Sequence, residues 1–305
     1  MDRPAGTPGL PPEPLVAGRA DPIAEHVRAA LDLSTRALLD GEAGAGRGET
    51  AEPVHRMRIS VRRMRVVLRS AAPFLDQRWS EPLRAELGWL GRELGVVRDL
   101  DVLLARLHRD AADFDAAQRE SAGRLFDAAS REHRAAREAL LAVLAGQRYR
   151  ALVDALTSAV REPLPASAVE QSGMRELRAL VAEQYRRLRR AVDEVGPGAT
   201  DEELHELRLL GKRLRWTAEL AEPVSGKPMR QLLAAAKRFQ DVLGELHDAR
   251  NAEELVRRLL ADLGPDVRLA FVAGRLVERE HARRVDHREQ WWERWRELRS
   301  SAAKV

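Results

Sequence analysis

The chain repeats a basic pattern about 150 residues apart, and this repeat restricts the possible folds more than any other feature of the sequence. The segment VHRMRISVRRMR (54–65) aligns with LHELRLLGKRLR (204–215) at an offset of 150 residues. A second segment, LGVVRDLDVL (94–103), aligns with LGELHDARNA (243–252) at an offset of 149 residues. Two matches in the same order at nearly the same offset indicate two related halves.

Composition and apolar spacing predict an all-α protein. Charged residues make up 33% of the chain and aromatic residues 4%, which is typical of long helices. GEAGAGRGE (41–49) predicts a flexible break, and Thr200 with Glu203 has the spacing of a capping box. No segment shows the alternation of a strand. The predicted helices lie at about 20–40, 54–69, 80–112, 116–146, 148–161, 173–195, 201–221, 228–246, 249–262 and 265–298.

Proline- and glycine-rich segments predict the domain organisation. We expect residues 1–18 to be a disordered tail, followed by one domain over residues 19–300. EPLPASAVEQ (162–171) predicts a linker between a first helical half (19–161) and a second helical half (172–300). The fold expected from the repeat is two pseudo-symmetric helical bundles.

The first repeated segment separates a cationic face from an apolar face when it is placed on an α-helix. Its cations recur at spacings of three and four residues, which brings them onto one side of the helix. They are His55, Arg58, Arg62, Arg65 and Arg69. The apolar stripe on the other side consists of Met57, Val61, Met64 and Leu68. We expect the apolar stripe to pack on a core and the cationic stripe to serve a ligand.

The cationic stripe lacks the acidic residues that usually accompany basic ones. The chain as a whole is nearly balanced, with a net charge of +4, yet no acid lies between Glu52 and Asp76. On an ordinary solvated face acids alternate with bases, because like charges at i,i+4 destabilise a helix by a few tenths of a kcal/mol. An anionic ligand that relieves the repulsion explains the pattern best. The second stripe is similar, although Glu206 lies nearby and Glu219 replaces the counterpart of Arg69.

The number of stripe cations favours a long polyanion over a small phosphate ester. Two repeated stripes offer a row of guanidinium forks, whereas one phosphate ester needs only two or three of them. Nucleic acid fits less well, because the stripes contain few groups for stacking on bases or reading base edges. Trp216, next to the second stripe, is one exception.

Metal chemistry and catalysis receive little support. Glu52-x-x-His55 and Glu202-x-x-His205 have the Glu-x-x-His spacing of di-iron bundles, but Glu52 precedes Pro53, as at the start of a helix. The chain has no evident nucleophile with a paired base, no glycine-rich phosphate loop and no acidic cluster for Mg²⁺. We therefore expect no metal, no cofactor and no enzymatic activity.

The repeated segments resemble the conserved histidine α-helical domain, abbreviated CHAD. The resemblance rests on VHRMRISVRRMR followed by LGVVRDLDVLLARL, and on LHELRLLGKRLRW followed by FQDVLGELHDA, and it extends from about residue 15 to 300. It implies a pseudo-two-fold pair of bundles that binds inorganic polyphosphate in a basic groove or pore between the halves, at polyphosphate granules. A phosphohydrolase or phosphotransferase acting on the polymer, and a non-specific nucleic-acid binder, remain alternatives.

The resemblance also implies the residues that bind the ligand. Those carried over are His55, Arg58, Arg62, Arg63, Arg65, His205, Arg208, Lys212, Arg213 and Arg215, with Arg98 and Lys237 as further candidates. Arg69 is added because of its position on the stripe. Asp99 and Asp248 are expected to cap helices or to pair with a stripe arginine. The histidines should donate hydrogen bonds, with a pKa near 6.5, so that binding tightens from pH 8 to 6.

Two further expectations concern location and the C-terminus. The chain has no cysteine and no run of about 18 apolar residues, so we expect a cytoplasmic protein with no membrane partner. HREQWWERWRELR contains Trp291, Trp292 and Trp295, which are expected to dock the last helix onto the core.

Overall fold

The structure, a computed structural model, describes residues 9–18, 20–47, 51–165 and 173–304. These residues form helices and no strand, which confirms the all-α class. A short 3₁₀ helix, Ala72–Phe74, lies between the second and third α-helices. The α-helices are α1 (Ile23–Arg47), α2 (Glu52–Ser70), α3 (Gln77–Asp110), α4 (Ala116–Ala145), α5 (Gln147–Arg161), α6 (Gly173–Val195), α7 (Asp201–Leu263) and α8 (Val267–Ala302).

Several helices begin at a side chain that caps their free backbone N–H groups. Asp76 caps α3, Asp115 caps α4 and Asp266 caps α8. At the start of α7 the Thr200 hydroxyl accepts a hydrogen bond from the Glu203 N–H at 3.3 Å, and the Glu203 carboxylate accepts one from the Thr200 N–H at 2.6 Å. The predicted capping box is therefore confirmed.

The predicted break at 41–49 is wrong as far as Arg47, because α1 continues to that residue. Gly41 does not interrupt the helix but allows α2 to approach it closely. A Cβ at this position would lie 2.5 Å from Cγ of Met57 and 2.9 Å from the carbonyl oxygen of Pro53. The glycine is needed for helix packing, and the sequence pattern alone does not distinguish this role from a loop.

In the second half, α7 covers the positions of three predicted helices. The break predicted at PVSGKP (223–228) is confirmed as a kink at Gly226, where non-helical backbone with φ 72° and ψ −154° joins two helical parts of α7. Glycine adopts this left-handed φ without the penalty that a Cβ imposes. The break predicted near residue 247 is absent, since Leu246 and Ala249 continue the buried face of the helix.

Both hydrophobic cores contain residues from both halves of the sequence. The larger core includes side chains of α1, α2 and α3 together with side chains of α6, α7 and α8. In the smaller core Leu107 and Phe114, at the turn between α3 and α4, pack with Val256 and Leu276 of α7 and α8. Core packing therefore does not divide at the predicted linker (162–171), of which residues 166–171 lie outside the described part. The predicted two-fold relation and domain limits remain predictions.

The N-terminal segment, residues 9–18, forms no helix but contacts α1. The Leu15 N–H donates to the carboxylate of Asp32 at 2.7 Å, and Arg36 donates to the carbonyl oxygen of Pro11 at 2.6 Å. The predicted disordered tail is wrong for this segment, because these contacts hold it on the helix. The first eight residues lie outside the described part.

The C-terminal tryptophans anchor α8 to the larger core. Trp291 and Trp295 are 0% and 1% exposed. The Trp295 ring stacks on Tyr185 of α6 at a centroid distance of 6.2 Å and contacts Phe239 of α7 at 6.1 Å. The predicted docking role is confirmed. None of the helices described is both long and apolar enough to cross a membrane.

Candidate anion-binding site

Helix α2 is oriented by its apolar stripe. Met57, Val61 and Met64 are fully buried, and Leu68 is 1% exposed. The cations on the other faces of α2 are half-buried or exposed. The predicted separation of the two faces is therefore confirmed.

Three glycines of α3 lie against the helix α2, and two of them face its arginines. A Cβ at Gly88 would lie 3.5 Å from the Arg65 guanidinium, and a Cβ at Gly95 would lie 3.6 Å from Nη1 of Arg58. Gly91 lies between them and faces the same helix. Arg58 Nη1 also donates a hydrogen bond to the Gly95 carbonyl oxygen at 2.8 Å. The backbone of α3 therefore supports the stripe directly.

The two repeated helices bring their cations together in one group, which we call the central cluster: Arg58, Arg62, Arg208 and Lys212. Burial, followed by the neighbouring charges of Arg62, Arg208 and Arg58 in that order, lowers the pKa of Lys212 to about 6. Burial also lowers the pKa of Arg62 to about 10, with Arg58 and Arg208 contributing. Because cations of α2 and α7 lower one another's pKa, the stripes of the two helices lie next to each other.

The histidines of both repeats lie beside the central cluster and favour the neutral form. Burial is the main cause that lowers the pKa of His55, and Arg98 is the second. Burial also lowers the pKa of His205 and takes that of His247 to about 3. The rings of His205 and His247 have centroids 4.9 Å apart. The predicted histidine pKa near 6.5 is therefore wrong for this unliganded state, because the site is partly desolvated. Arg98 and His247, which occupy equivalent positions of the repeat, each neighbour a stripe histidine.

The repeated aspartates lie within helices and cannot cap them. Asp99 of α3 accepts from Nη1 of Arg58 at 2.8 Å, so the alternative in which it pairs with a stripe arginine is confirmed. Asp248 of α7 is at the equivalent position of the repeat. Burial raises the pKa of Asp248, whereas Arg208 opposes this shift. Each repeat thus places one carboxylate near its first stripe arginine.

Glu219 connects two of the candidate arginines across the helices. Its carboxylate lies 3.5 Å from Nε of Arg63 in α2 and 3.1 Å from Nε of Arg215 in α7. The Arg62 guanidinium lies 5.3 Å from the Trp216 ring centroid, within cation–π range. Glu219 therefore partly neutralises Arg63 and Arg215, while Trp216 supports Arg62 rather than being free to stack on a base.

Beyond the central cluster the cations line a cavity of about 240 Å³, which we call the outer cavity. Its cationic lining residues are Arg62, Arg65, Arg69, Arg84, Lys212 and Arg213. No acidic side chain is among the lining residues described. The outer cavity therefore joins both stripes and offers an anion several guanidinium groups.

The site also contains arginines that the sequence did not reveal. Arg84 of α3 lines the outer cavity. Arg187 of α6 lines a neighbouring cavity of about 180 Å³ together with Arg69 and Arg213. Both Arg84 and Arg187 are ion-paired with a glutamate of their own helix. Their segments mix acids and bases, so no sequence signal distinguishes these arginines from an ordinary surface pair.

Lys237 is the predicted ligand-binding residue that the structure does not bring to the central cluster. Its Nζ lies 2.8 Å from a carboxylate oxygen of Asp241, on the same helix, and its side chain is 66% exposed. It follows the kink at Gly226, and no described contact joins it to the central cluster. A role for Lys237 at this site has no geometric support.

The acidic residues of the Glu-x-x-His motifs lie in the first turns of α2 and α7. Glu52 is the first residue of α2. Glu202 accepts from Nη1 of Arg250 at 2.7 Å. Within the described residues, no group of three or more histidine, aspartate or glutamate side chains is arranged to hold a metal ion.

These features define an all-α protein in which two repeated helices gather cations at one site. The chain belongs to the CHAD domain family, whose model matches residues 29–257. It is similar to the uncharacterized proteins MT2285 and Rv2226 of Mycobacterium tuberculosis, each 32% identical over 273 residues, covering 85% of this chain and 50% of the relative. The chain thus spans about half the length of these curated relatives.

Two solved structures share the fold. PptA from Streptomyces chartreusis superposes with a TM-score of 0.72 at 21% identity, covering 90% of this chain and 100% of that one. The CHAD domain from the plant Ricinus communis superposes with a TM-score of 0.75 at 23% identity, covering 96% of each chain.

Proposed function

We propose that the protein binds inorganic polyphosphate through the central cluster and the outer cavity, and that it does not act on the polymer catalytically. The observation that carries this proposal is the meeting of Arg58 and Arg62 of α2 with Arg208 and Lys212 of α7. Membership of the CHAD family fits a polyphosphate-related role. An association with polyphosphate granules follows from the same proposal.

The physical basis is the relief of repulsion by a polymer with closely spaced charges. The first stripe, from His55 to Arg69, is roughly 21 Å long at the rise of an α-helix. Several phosphates of one chain can contact it at the same time, whereas a single phosphate ester occupies one end. Arginine and lysine then replace the counterions of the polymer, so we expect the affinity to fall steeply as salt is added.

A binding titration tests the proposal. Long polyphosphate, short polyphosphate, ATP and DNA are titrated at two salt concentrations. We expect long polyphosphate to bind most tightly and to show the steepest salt dependence. If DNA displaces polyphosphate at equal phosphate concentration, the proposed selectivity is wrong.

Charge reversal tests the location of the site. Arg58→Glu with Arg65→Glu should abolish binding while the circular dichroism spectrum stays helical. The matched control is Arg131→Glu with Arg150→Glu, which changes the charge equally at two exposed positions that line neither cavity. Equal losses in both variants would indicate a general charge effect and contradict the site.

The alternative is a phosphohydrolase or phosphotransferase acting on the same polymer. Incubation with long polyphosphate and a divalent cation, followed by measurement of released phosphate and chain length, separates the two functions. We expect the polymer to remain intact.

A further inference from the structure

We propose that Lys212 is a modification site, at which small acyl phosphates that enter the outer cavity acylate the side-chain amine. The class of reagent follows from the lining: the arginines attract a compact dianion, and the lysine provides the nucleophile. Acyl phosphates such as acetyl phosphate combine a phosphate with a reactive carbonyl carbon.

The surroundings of Lys212 differ from those of an ordinary surface lysine. The side chain is half-buried and lines the outer cavity together with Arg62, Arg65 and Arg69. Among the contacts of the described residues, neither a hydrogen bond nor an ion pair engages its Nζ, whereas the Nζ of Lys237 is paired with Asp241. Among the described residues, no carboxylate is therefore in direct contact with this amine to hold it as an ammonium ion.

The charged groups around Lys212 favour the neutral amine, which is the nucleophilic form. Arg58 and Arg62 approach from α2 and Arg208 from α7, while Asp248 provides the opposing charge. Burial, followed by these arginines, lowers the pKa of Lys212 to about 6. At neutral pH most of the unliganded protein thus carries an uncharged amine here.

The reaction is balanced without any further reagent. The neutral Nζ attacks the carbonyl carbon of the acyl phosphate, a C–N bond forms, and the C–O bond to the phosphate breaks. Inorganic phosphate leaves with the bonding electrons and takes up, through solvent, the proton that the amine loses, so that the products are the amide and hydrogen phosphate. Guanidinium groups of the outer cavity bind the phosphate in the reagent and as it departs.

Lysine is rare in this chain, which makes the position distinctive. The chain has 52 lysine and arginine residues, but lysine occurs only at 212, 227, 237 and 304. The equivalent position of the first repeat is Arg62, which does not form an amide under these conditions. Acylation would remove one cation from the central cluster. The proposed modification site rests on the proposed function only for its consequence, which is that acylation of Lys212 weakens the binding of polyphosphate.

Incubation of the full chain with acetyl phosphate at pH 7.5, followed by digestion and mass spectrometry of the peptides, tests the proposal. Lys227, Lys237 and Lys304 are exposed and serve as internal controls. We expect Lys212 to be acetylated about tenfold faster than each of them, because it lines the arginine-rich outer cavity and its pKa is lowered to about 6. Rates equal to those of the three controls would overturn the modification site.

Competition and two substitutions separate this proposal from the proposed function. Long polyphosphate should slow acetylation at Lys212 alone. Selective acetylation that polyphosphate does not slow would support the modification site and contradict polyphosphate binding. Lys212→Gln, which resembles the acylated residue in charge, should weaken polyphosphate binding more than Lys212→Arg, which keeps the cation but cannot be acylated. Unchanged affinity in the Lys212→Gln variant would refute the regulatory consequence.

Discussion

At the scale of single residues, burial and repulsion between neighbouring cations lower the pKa of several basic side chains of the site. Lys212 shows this most clearly, followed by the stripe histidines. The sequence predicted a pH dependence due to histidine. The structure adds Lys212 to this expected effect, because the pKa of its amine is lowered to about 6, and the pKa values of the stripe histidines His55 and His205 are also lowered.

Polyphosphate binding should take up a proton at Lys212. The bound polyanion raises the pKa of this amine above its unliganded value of about 6. At a pH between the unliganded and the bound pKa, the complex therefore holds more protons than the free protein. Affinity should therefore fall as the pH rises through this window, by up to about tenfold per unit. Calorimetric titration at pH 7.5 in buffers of different ionisation enthalpy measures the uptake. Lys212→Arg should reduce the proton uptake, and a wild type without uptake would contradict the prediction.

Glu219 should weaken the binding of an anion, since it engages both Arg63 and Arg215. Glu219→Gln removes the negative charge and frees both guanidinium groups. We expect polyphosphate affinity to increase about fivefold, corresponding to roughly 1 kcal/mol. The matched control is Glu222→Gln, because Glu222 faces Arg230 instead. Equal effects of the two substitutions on polyphosphate affinity would show that the contacts of Glu219 with Arg63 and Arg215 do not weaken binding.

At the scale of elements, the sequence predicted the features that depend on helical periodicity. The faces of α2 were predictable because a spacing of three and four residues places side chains on a helix independently of its partners. Arg84 and Arg187 were not predictable, because their contribution arises only when α3 and α6 pack beside the stripes. Gly41 was misjudged for the same reason: glycine marks a break in one context and a close helix contact in another.

The kink of α7 depends on the backbone freedom of Gly226, whose φ is 72°. Apart from its chain neighbours, no described atom lies within 4 Å of a Cβ built there, so we attribute the cost of Gly226→Ala to conformational strain. We expect the free energy of unfolding to decrease by about 1 kcal/mol. Gly274→Ala is the control: this helical glycine of α8 also has open space around it, and the substitution should stabilise by up to about 1 kcal/mol. Denaturant unfolding of both variants measures the difference, and stabilisation by Gly226→Ala would refute it.

At the scale of the whole molecule, a buried ionic network ties the first half to the second. Arg106 of α3 is 4% exposed and donates to Glu280 of α8 at 2.7 Å and to Glu245 of α7 at 2.8 Å. Glu280 is fully buried and also accepts from Arg283. Nothing in the repeat predicted this network, because its members are far apart in the sequence and do not occupy equivalent positions.

Removing Arg106 should destabilise the whole protein. Arg106→Leu leaves the buried Glu280 with less compensating charge, and we expect a loss of about 3 kcal/mol in the free energy of unfolding. The combined variant with Glu280→Leu should recover part of this loss. Arg124→Leu is the control, because it breaks a solvent-exposed pair with Asp266 and should have little effect. Denaturant unfolding gives the values, and similar stability of the Arg106 and Arg124 variants would contradict the role of the network.

The smaller core also has a consequence for protein synthesis. Leu107 and Phe114 leave the ribosome long before Val256 and Leu276, with which they pack. At typical translation rates the wait is roughly 7 to 30 seconds. During that time α4 supplies the only synthesised part of this core besides α3 and the turn, with Ala122 and Leu125, and the apolar surface that Val256 and Leu276 cover in the folded protein stays exposed. The smaller core is therefore completed only after α8 has been synthesised, although each half of the sequence carries its own copy of the stripe.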